Sequence, residues 1–152
     1  MSQLTIGDQA PDFSLPDSEG RMISLASFRG THTVVLYFYP KDETPGCTAE
    51  ACGFRDAYDE FARAGAQVIG VSGDSSESHH RFAAHHNLPF ILLSDTSGAI
   101  KTRYGVRGTL GLLPGRVTFV IDKQGIIRYM FSSQLRAVRH VREALKIVQS
   151  LQ

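Results

Sequence analysis

Runs of unbroken apolar residues alternate along this chain with segments whose apolar side chains recur every three or four positions, a rhythm that predicts alternating strands and helices. Residues 33–39, centred on Val35, Leu36 and Tyr37, are almost entirely β-branched or aromatic, as in a strand buried on both faces. Pro40 cannot extend a hydrogen-bond ladder, so that strand ends there. Over residues 45–63, Ala49, Cys52, Ala57, Phe61 and, just beyond, Ala64 share a helical stripe, with Phe54 and Tyr58 on neighbouring rows; Gly65 stops the helix. Residues 67–72 read as another buried strand, and residues 76–86 as a helix capped by Ser75 or Ser76 and followed by Pro89. A third strand over 90–94, a short helix over 97–104 and a fourth strand over 117–121 continue the pattern. A turn at Asp122, Lys123, Gln124 and Gly125 leads into an antiparallel fifth strand over 126–131. In the last helix Val138, Val141, Leu145 and Val148 line up at steps of three, four and three, a face for packing on the sheet.

Two short extended segments within residues 12–25 flank Asp17, Ser18, Glu19 and Gly20, small polar residues and glycine that favour chain reversal. This predicts an N-terminal β-hairpin. The whole order implies an α/β fold with a mixed central β-sheet and helices on both faces, and a thioredoxin-like architecture fits it. A length of 152 residues suits a single domain over 1–152, and no internal repeat or low-complexity segment divides it.

Charge narrows the partners. Sixteen basic against 15 acidic side chains leave a formal charge of +1, which gives no footprint for nucleic acid or an anionic membrane. The first eight residues lack the basic-then-apolar pattern of a secretory signal, and no apolar run approaches the roughly 20 residues a bilayer requires. A cytoplasmic location is the expectation. There are only two cysteines, Cys47 and Cys52, too few for a disulfide framework in a chain of this size. A catalytic or redox pair fits better.

The surroundings of Cys47 favour negative charge on sulfur. Thr44 reads as a helix N-cap, Pro45 as the first helical residue and Cys47 as the third, which sets the thiol near unsatisfied amides at the positive end of the helix dipole. Thiolate is the nucleophilic form of cysteine. Asp42 and Glu43 oppose this unless both point outward, so the site needs a cation, and local Lys41 is a flexible one. Cys52 follows Cys47 by five residues. On an ideal helix their Cα atoms stand roughly 8–9 Å apart, beyond the ~6.8 Å limit of most disulfides. A bond between them therefore requires the first turns to unwind.

The motif of Pro40, Thr44 and Cys47, with three residues between the first two and two between the last two, resembles the active-site motif of the peroxiredoxins. Cys52 stands where the Q-type, or bacterioferritin comigratory protein, subfamily has its resolving cysteine. Gly115 to Asp122 is similar to the family's segment carrying the active-site arginine, here Arg116, and the opening Gly7, Asp8, Ala10, Pro11, Asp12 and Phe13 resembles its usual beginning. The resemblance covers essentially the whole chain. It implies a thiol-dependent peroxidase of hydrogen peroxide and organic hydroperoxides: Cys47 attacks, Cys52 resolves within the same subunit, and thioredoxin or a similar dithiol reduces the disulfide. It further implies that Thr44 hydrogen-bonds in the site, that Arg116 supplies fixed donors to thiolate and peroxide, and that Pro40 shields the sulfur. No metal or organic cofactor is required, and an intrasubunit pair makes a monomer the expectation.

Plainer readings stand beside these. Isolated cysteines are often small buried hydrophobes, Thr44 could serve only as a cap, and arginines are mostly surface charges. His79, His80, His85 and His86 read as a solvated face, because no pair among them is three or four residues apart. Arg136, Arg139, Arg142 and Lys146 read as an exposed charged face. The glycine-rich residues 108–115 precede a strand, which excludes a phosphate loop; Leu110, Leu112 and Leu113 could form an apolar rim beside Arg116. A disulfide oxidoreductase would carry only two residues between its cysteines, where this chain has four. A redox sensor or chaperone could use the same disulfide.

Overall fold

The computed structural model describes residues 4–106, 116–132 and 137–152. The suggested leucine rim and Arg136 lie outside those residues. Near the N-terminus, β1 (Ser14–Pro16) and β2 (Met22–Ser24) pair antiparallel, with Leu15 opposite Ile23. Asp17 builds the turn between them, its Oδ1 accepting from the amides of Glu19 and Arg21 at 2.9 Å each. This is the hairpin expected from the polar residues at 17–20.

A short 3-10 turn, Leu25–Phe28, leads to β3 (Thr33–Phe38), whose residues are all buried. Then follow α1 (Pro45–Asp56), α2 (Tyr58–Arg63), β4 (Ala66–Ser72), α3 (Ser76–His86), β5 (Ile91–Ser94), α4 (Ala99–Arg103), β6 (Val117–Ile121), β7 (Ile127–Ser132) and α5 (Ala137–Ser150). The five-stranded sheet has the order β5-β4-β3-β6-β7. β3 pairs parallel with β4, and β4 with β5; β6 runs antiparallel to both β3 and β7. The mixed sheet of the sequence reading is therefore present, with β3 at its centre.

Alternation along β3 divides the core. Val35, Tyr37 and Tyr39 face a layer built from Ala51 and Phe54 of α1, Phe61 of α2, Phe82 of α3 and Val141, Ala144 and Val148 of α5. Val34, Leu36 and Phe38 face the opposite layer, where Phe13, Leu25, Ile100 of α4 and Tyr104 pack. Burying both faces of one strand is what a continuous apolar run permits.

Three helical expectations shift. The helix over 45–63 is two helices, divided at Ala57 (φ −96, ψ 8); alanine is a strong helix former, so nothing local marks the break. The buried face of α1 is Cys47, Glu50, Ala51 and Phe54, while Ala49 is exposed and Cys52 half-buried. An apolar count rotated that stripe because a glutamate occupies a core position. In α5 the buried residues are His140, Val141, Ala144 and Val148, and Val138 is 53% exposed. The α1 and α5 backbones approach closely: a Cβ added at Gly53 would lie 2.9 Å from a Val141 methyl. Arg139, Arg142 and Lys146 are exposed as expected.

Candidate active site

The antiparallel pairing of β3 with β6 places Val117 opposite Phe38, so the start of β6 lies beside the end of β3. Arg116 is thereby set next to the segment that leads from β3 into α1. Its Nη2 donates to Cys47 Sγ at 3.4 Å and its Nη1 to Glu50 Oε1 at 2.5 Å. All three side chains are buried. The cation that the sequence reading required is thus Arg116, and not Lys41, which is exposed.

Gly46 makes room for this approach. A Cβ there would stand 2.9 Å from Arg116 Nη2. Cys47 is the third residue of α1, after Pro45 and Gly46, a position whose amide has no partner within the helix. Thr44 occupies the N-cap position with extended backbone, but its side chain makes no capping bond. Its hydroxyl donates instead to the Lys41 carbonyl at 2.8 Å, tying the loop across its own turn. Pro40 is exposed and lines a cavity of about 230 Å³ together with Tyr39, Ser72, Gly73 and Asp95. Cys52, half-buried and free, lies further along the same unbroken helix as Cys47, which is also free.

Glu50 escaped the sequence reading, although a charged residue one turn after Cys47 on an otherwise apolar face was the available signal. Burial pushes its carboxyl up to about 8, with the charge and hydrogen bond of Arg116 acting against that rise. Burial also opposes the charge of Arg116, but Glu50 and Cys47 outweigh it and hold the guanidinium firmly protonated. Behind the pair, His140 Nδ1 lies 3.6 Å from Glu50 Oε2 and 2.7 Å from Thr118 Oγ1. His140 was missed too, its ring buried among the apolar residues of α5.

Both acidic neighbours of the cysteine segment are held by partners on α3. Asp42 is buried and occupied: it accepts from Tyr39 Oη at 2.6 Å and Ser78 Oγ at 2.8 Å, and meets His79 Nδ1 at 2.8 Å. Burial raises its carboxyl, but these hydrogen bonds prevail and hold it below the ordinary aspartate range. Glu43 points outward to His85 and His86, and their hydrogen bonds, that of His86 foremost, lower its carboxyl. The histidine-rich helix is solvated only in part: His80 and His85 are exposed, while His79 and most of His86 are covered. His79 is fully buried, its Nε2 at 2.9 Å from the Leu93 carbonyl, and His80 meets Glu19 at 2.8 Å.

The AhpC/TSA family model matches residues 6–130. The chain belongs to this family. Among its relatives, the chloroplastic peroxiredoxin Q of Sedum lineare is 50% identical over 151 residues, spanning 99% of this chain and 81% of that protein. The chloroplastic peroxiredoxin Q of Arabidopsis thaliana is 49% identical, over 95% of this chain and 67% of its own length. The crystal structure of peroxidoxin BcpB from Mycobacterium tuberculosis superposes with a TM-score of 0.90 at 38% identity, covering 99% of both chains. The Xanthomonas campestris bacterioferritin comigratory protein, described with respect to its alkyl peroxide reduction activity, gives a TM-score of 0.82 at 32% identity over 91% of each chain. As an AhpC/TSA peroxiredoxin the chain is a thiol-dependent peroxidase of hydroperoxides, and its thioredoxin-like fold is the one expected.

Proposed function

We propose that Cys47 is the peroxidatic cysteine and Cys52 the resolving one. The thiolate of Cys47 attacks one peroxide oxygen, the O–O bond breaks, and its electron pair leaves on the other oxygen, which takes a proton and departs as water or alcohol. Cys47 becomes a sulfenic acid. Arg116 holds the thiolate and offers its planar fork to the charge that moves onto oxygen. The Cys52 thiolate then attacks the Cys47 sulfur, the S–O bond breaks, and water leaves as the disulfide forms. A dithiol reductant of the thioredoxin type restores both thiols. Thr44 is assigned a hydrogen bond in the site through its hydroxyl, and Pro40 the shielding of the sulfur.

The 3.4 Å hydrogen bond from Arg116 to the Cys47 sulfur carries this reading, because a buried cation beside a buried thiol gives the reactive group its charge partner. Both cysteines lie on one helix of one subunit, which supports a monomer. A cytoplasmic site of action is part of the proposal, and cell fractionation tests it.

The deciding experiment couples peroxide reduction to thioredoxin, its reductase and NADPH, comparing wild type with Cys47→Ser and Cys52→Ser. Cys47→Ser loses turnover. Cys52→Ser keeps the first attack and accumulates sulfenic or overoxidised Cys47; normal steady-state turnover in that variant would remove Cys52 from its role.

A further inference from the structure

Glu43, His85 and His86 converge on one point outside the thiol chemistry. Adjacent residues on a helix project about 100° apart, which is why the spacing of these histidines argued against a shared ligand. Two features of the fold remove that objection. His85 presents Nδ1, the nitrogen nearer its backbone, whereas His86 presents Nε2, the farther one, so unlike reaches compensate for unlike directions. Their rings lie 4.1 Å apart between centroids, tilted by 34°. Glu43 comes from the opposite side, out of the loop before α1, and holds a left-handed backbone with φ 65, unusual for a residue with a side chain. Its two oxygens stand 3.0 Å from His85 Nδ1 and 3.0 Å from His86 Nε2.

We propose that Glu43, His85 and His86 form a binding site for a divalent transition-metal ion of the zinc type, and that the bound ion clamps the loop before Cys47 to α3. One ligand atom from each residue lies within 4.8 Å of the others. Two imidazole nitrogens with one carboxylate oxygen suit zinc, nickel or copper better than magnesium or calcium, which prefer all-oxygen sets. The side chains of His85 and Glu43 are 66% and 46% exposed and that of His86 is 18% exposed. The open side therefore admits water as a fourth ligand, and the exposed groups can close to the roughly 2 Å bonds zinc makes. Each imidazole coordinates as the neutral ring: the proton now shared with Glu43 moves to the other ring nitrogen or passes to solvent. Arg55 supports the arrangement, its Nη1 donating to the His86 carbonyl at 2.8 Å.

The ion would favour one state of the protein. Glu43 immediately precedes Thr44, where the unwinding needed to join Cys47 to Cys52 begins, while His85 and His86 sit on a different helix. A ligand that binds only the packed arrangement stabilises it in proportion to its occupancy, so metal slows the resolving step. This consequence rests on the roles proposed for Cys47 and Cys52; the binding site does not.

The test has two arms. In the first, Zn²⁺ is titrated calorimetrically into the Cys47→Ser, Cys52→Ser double variant in a non-chelating buffer, with no thiol present to compete. One ion per chain is expected, bound at least about tenfold more weakly after His85→Ala or Glu43→Gln, since losing even an outer-shell partner costs about 10- to 100-fold. No binding, or equal affinity in all three proteins, overturns the site. The second arm measures disulfide formation after one equivalent of peroxide in the wild-type thiol protein and in His85→Ala, with and without saturating Zn²⁺. Slowing confined to the protein with His85 supports the clamp, and equal slowing in both overturns it. A Cys47 unreactive toward peroxide without metal would instead count against the catalytic reading.

Discussion

Arg116 and Glu50 meet inside the protein at 2.5 Å, and the other terminal nitrogen of the same guanidinium reaches the Cys47 sulfur. One buried cation therefore serves two acidic groups. Glu50 holds Arg116 through one terminal nitrogen, and the sulfur that we propose reacts with peroxide accepts from the other.

This pairing gives stability a pH dependence with a definite sign. Glu50 is raised to about 8 in the folded protein, while an unfolded glutamate titrates near about 4.3. Between those values the folded state binds more protons, so its stability is greatest below the window and falls as pH rises through it. Urea unfolding from pH 5 to 8.5 should show that slope in wild type and a flatter one in Glu50→Gln. Identical slopes would refute the assignment. Glu50→Ala, which leaves the buried guanidinium short of a partner, is expected to cost roughly 3 kcal/mol.

Gly46→Ala separates catalysis from stability. The new methyl carbon would stand 2.9 Å from Arg116 Nη2, and the guanidinium, as the end of a flexible side chain, is what must move. Alanine meanwhile improves helix propensity by roughly 0.5–1 kcal/mol. The expected result is a slower first attack, by about 10- to 100-fold given the value of one preorganised donor, with an unchanged or higher unfolding midpoint. Because the chain contains no tryptophan, the attack is best followed by rapid quench and thiol labelling. An unaffected rate would mean that Arg116 does not need its present position.

Asp42 holds the loop after β3 against α3 through Tyr39, Ser78 and His79. Asp42→Asn should lower stability at pH 7 by roughly 1.5–3 kcal/mol, the range for hydrogen bonds to a charged group. The folded carboxyl lies below its ordinary value, so its contribution is present above about pH 4 and is lost as the pH falls through the folded pKa. Denaturation midpoints of the two proteins should converge in acid. A gap of constant size from pH 7 to pH 3.5 would assign the effect to shape and not to charge.

Oxidation should be visible in the backbone. Cys47 and Cys52 lie on one continuous helix, and a disulfide between them requires its first turns to open. Amide exchange in residues 44–55 should accelerate on oxidation and recover on reduction, while the buried strands β3 and β4 keep their protection. Unchanged protection across α1 in the oxidised protein would place the bond elsewhere or require a different resolving mechanism.

Much of this protein follows from sequence alone. The unbroken apolar run of β3 made it a central strand and Pro40 ended it, because local periodicity is a property of a linear chain; the chemistry was implied by the family resemblance that Pro40, Thr44, Cys47, Cys52 and Arg116 carry. What that information could not decide is which distant charges meet. The antiparallel register of β3 and β6 brought Arg116 to Cys47, and the same packing turned Glu50 inward, where only a buried partner makes a glutamate tolerable. Asp42 and Glu43, neighbours in sequence, face opposite ways: one enters a buried network with His79, the other leaves the left-handed turn to meet His85 and His86. Pairing between side chains 35 or more residues apart depends on how the layers close, and the tertiary structure alone supplies it.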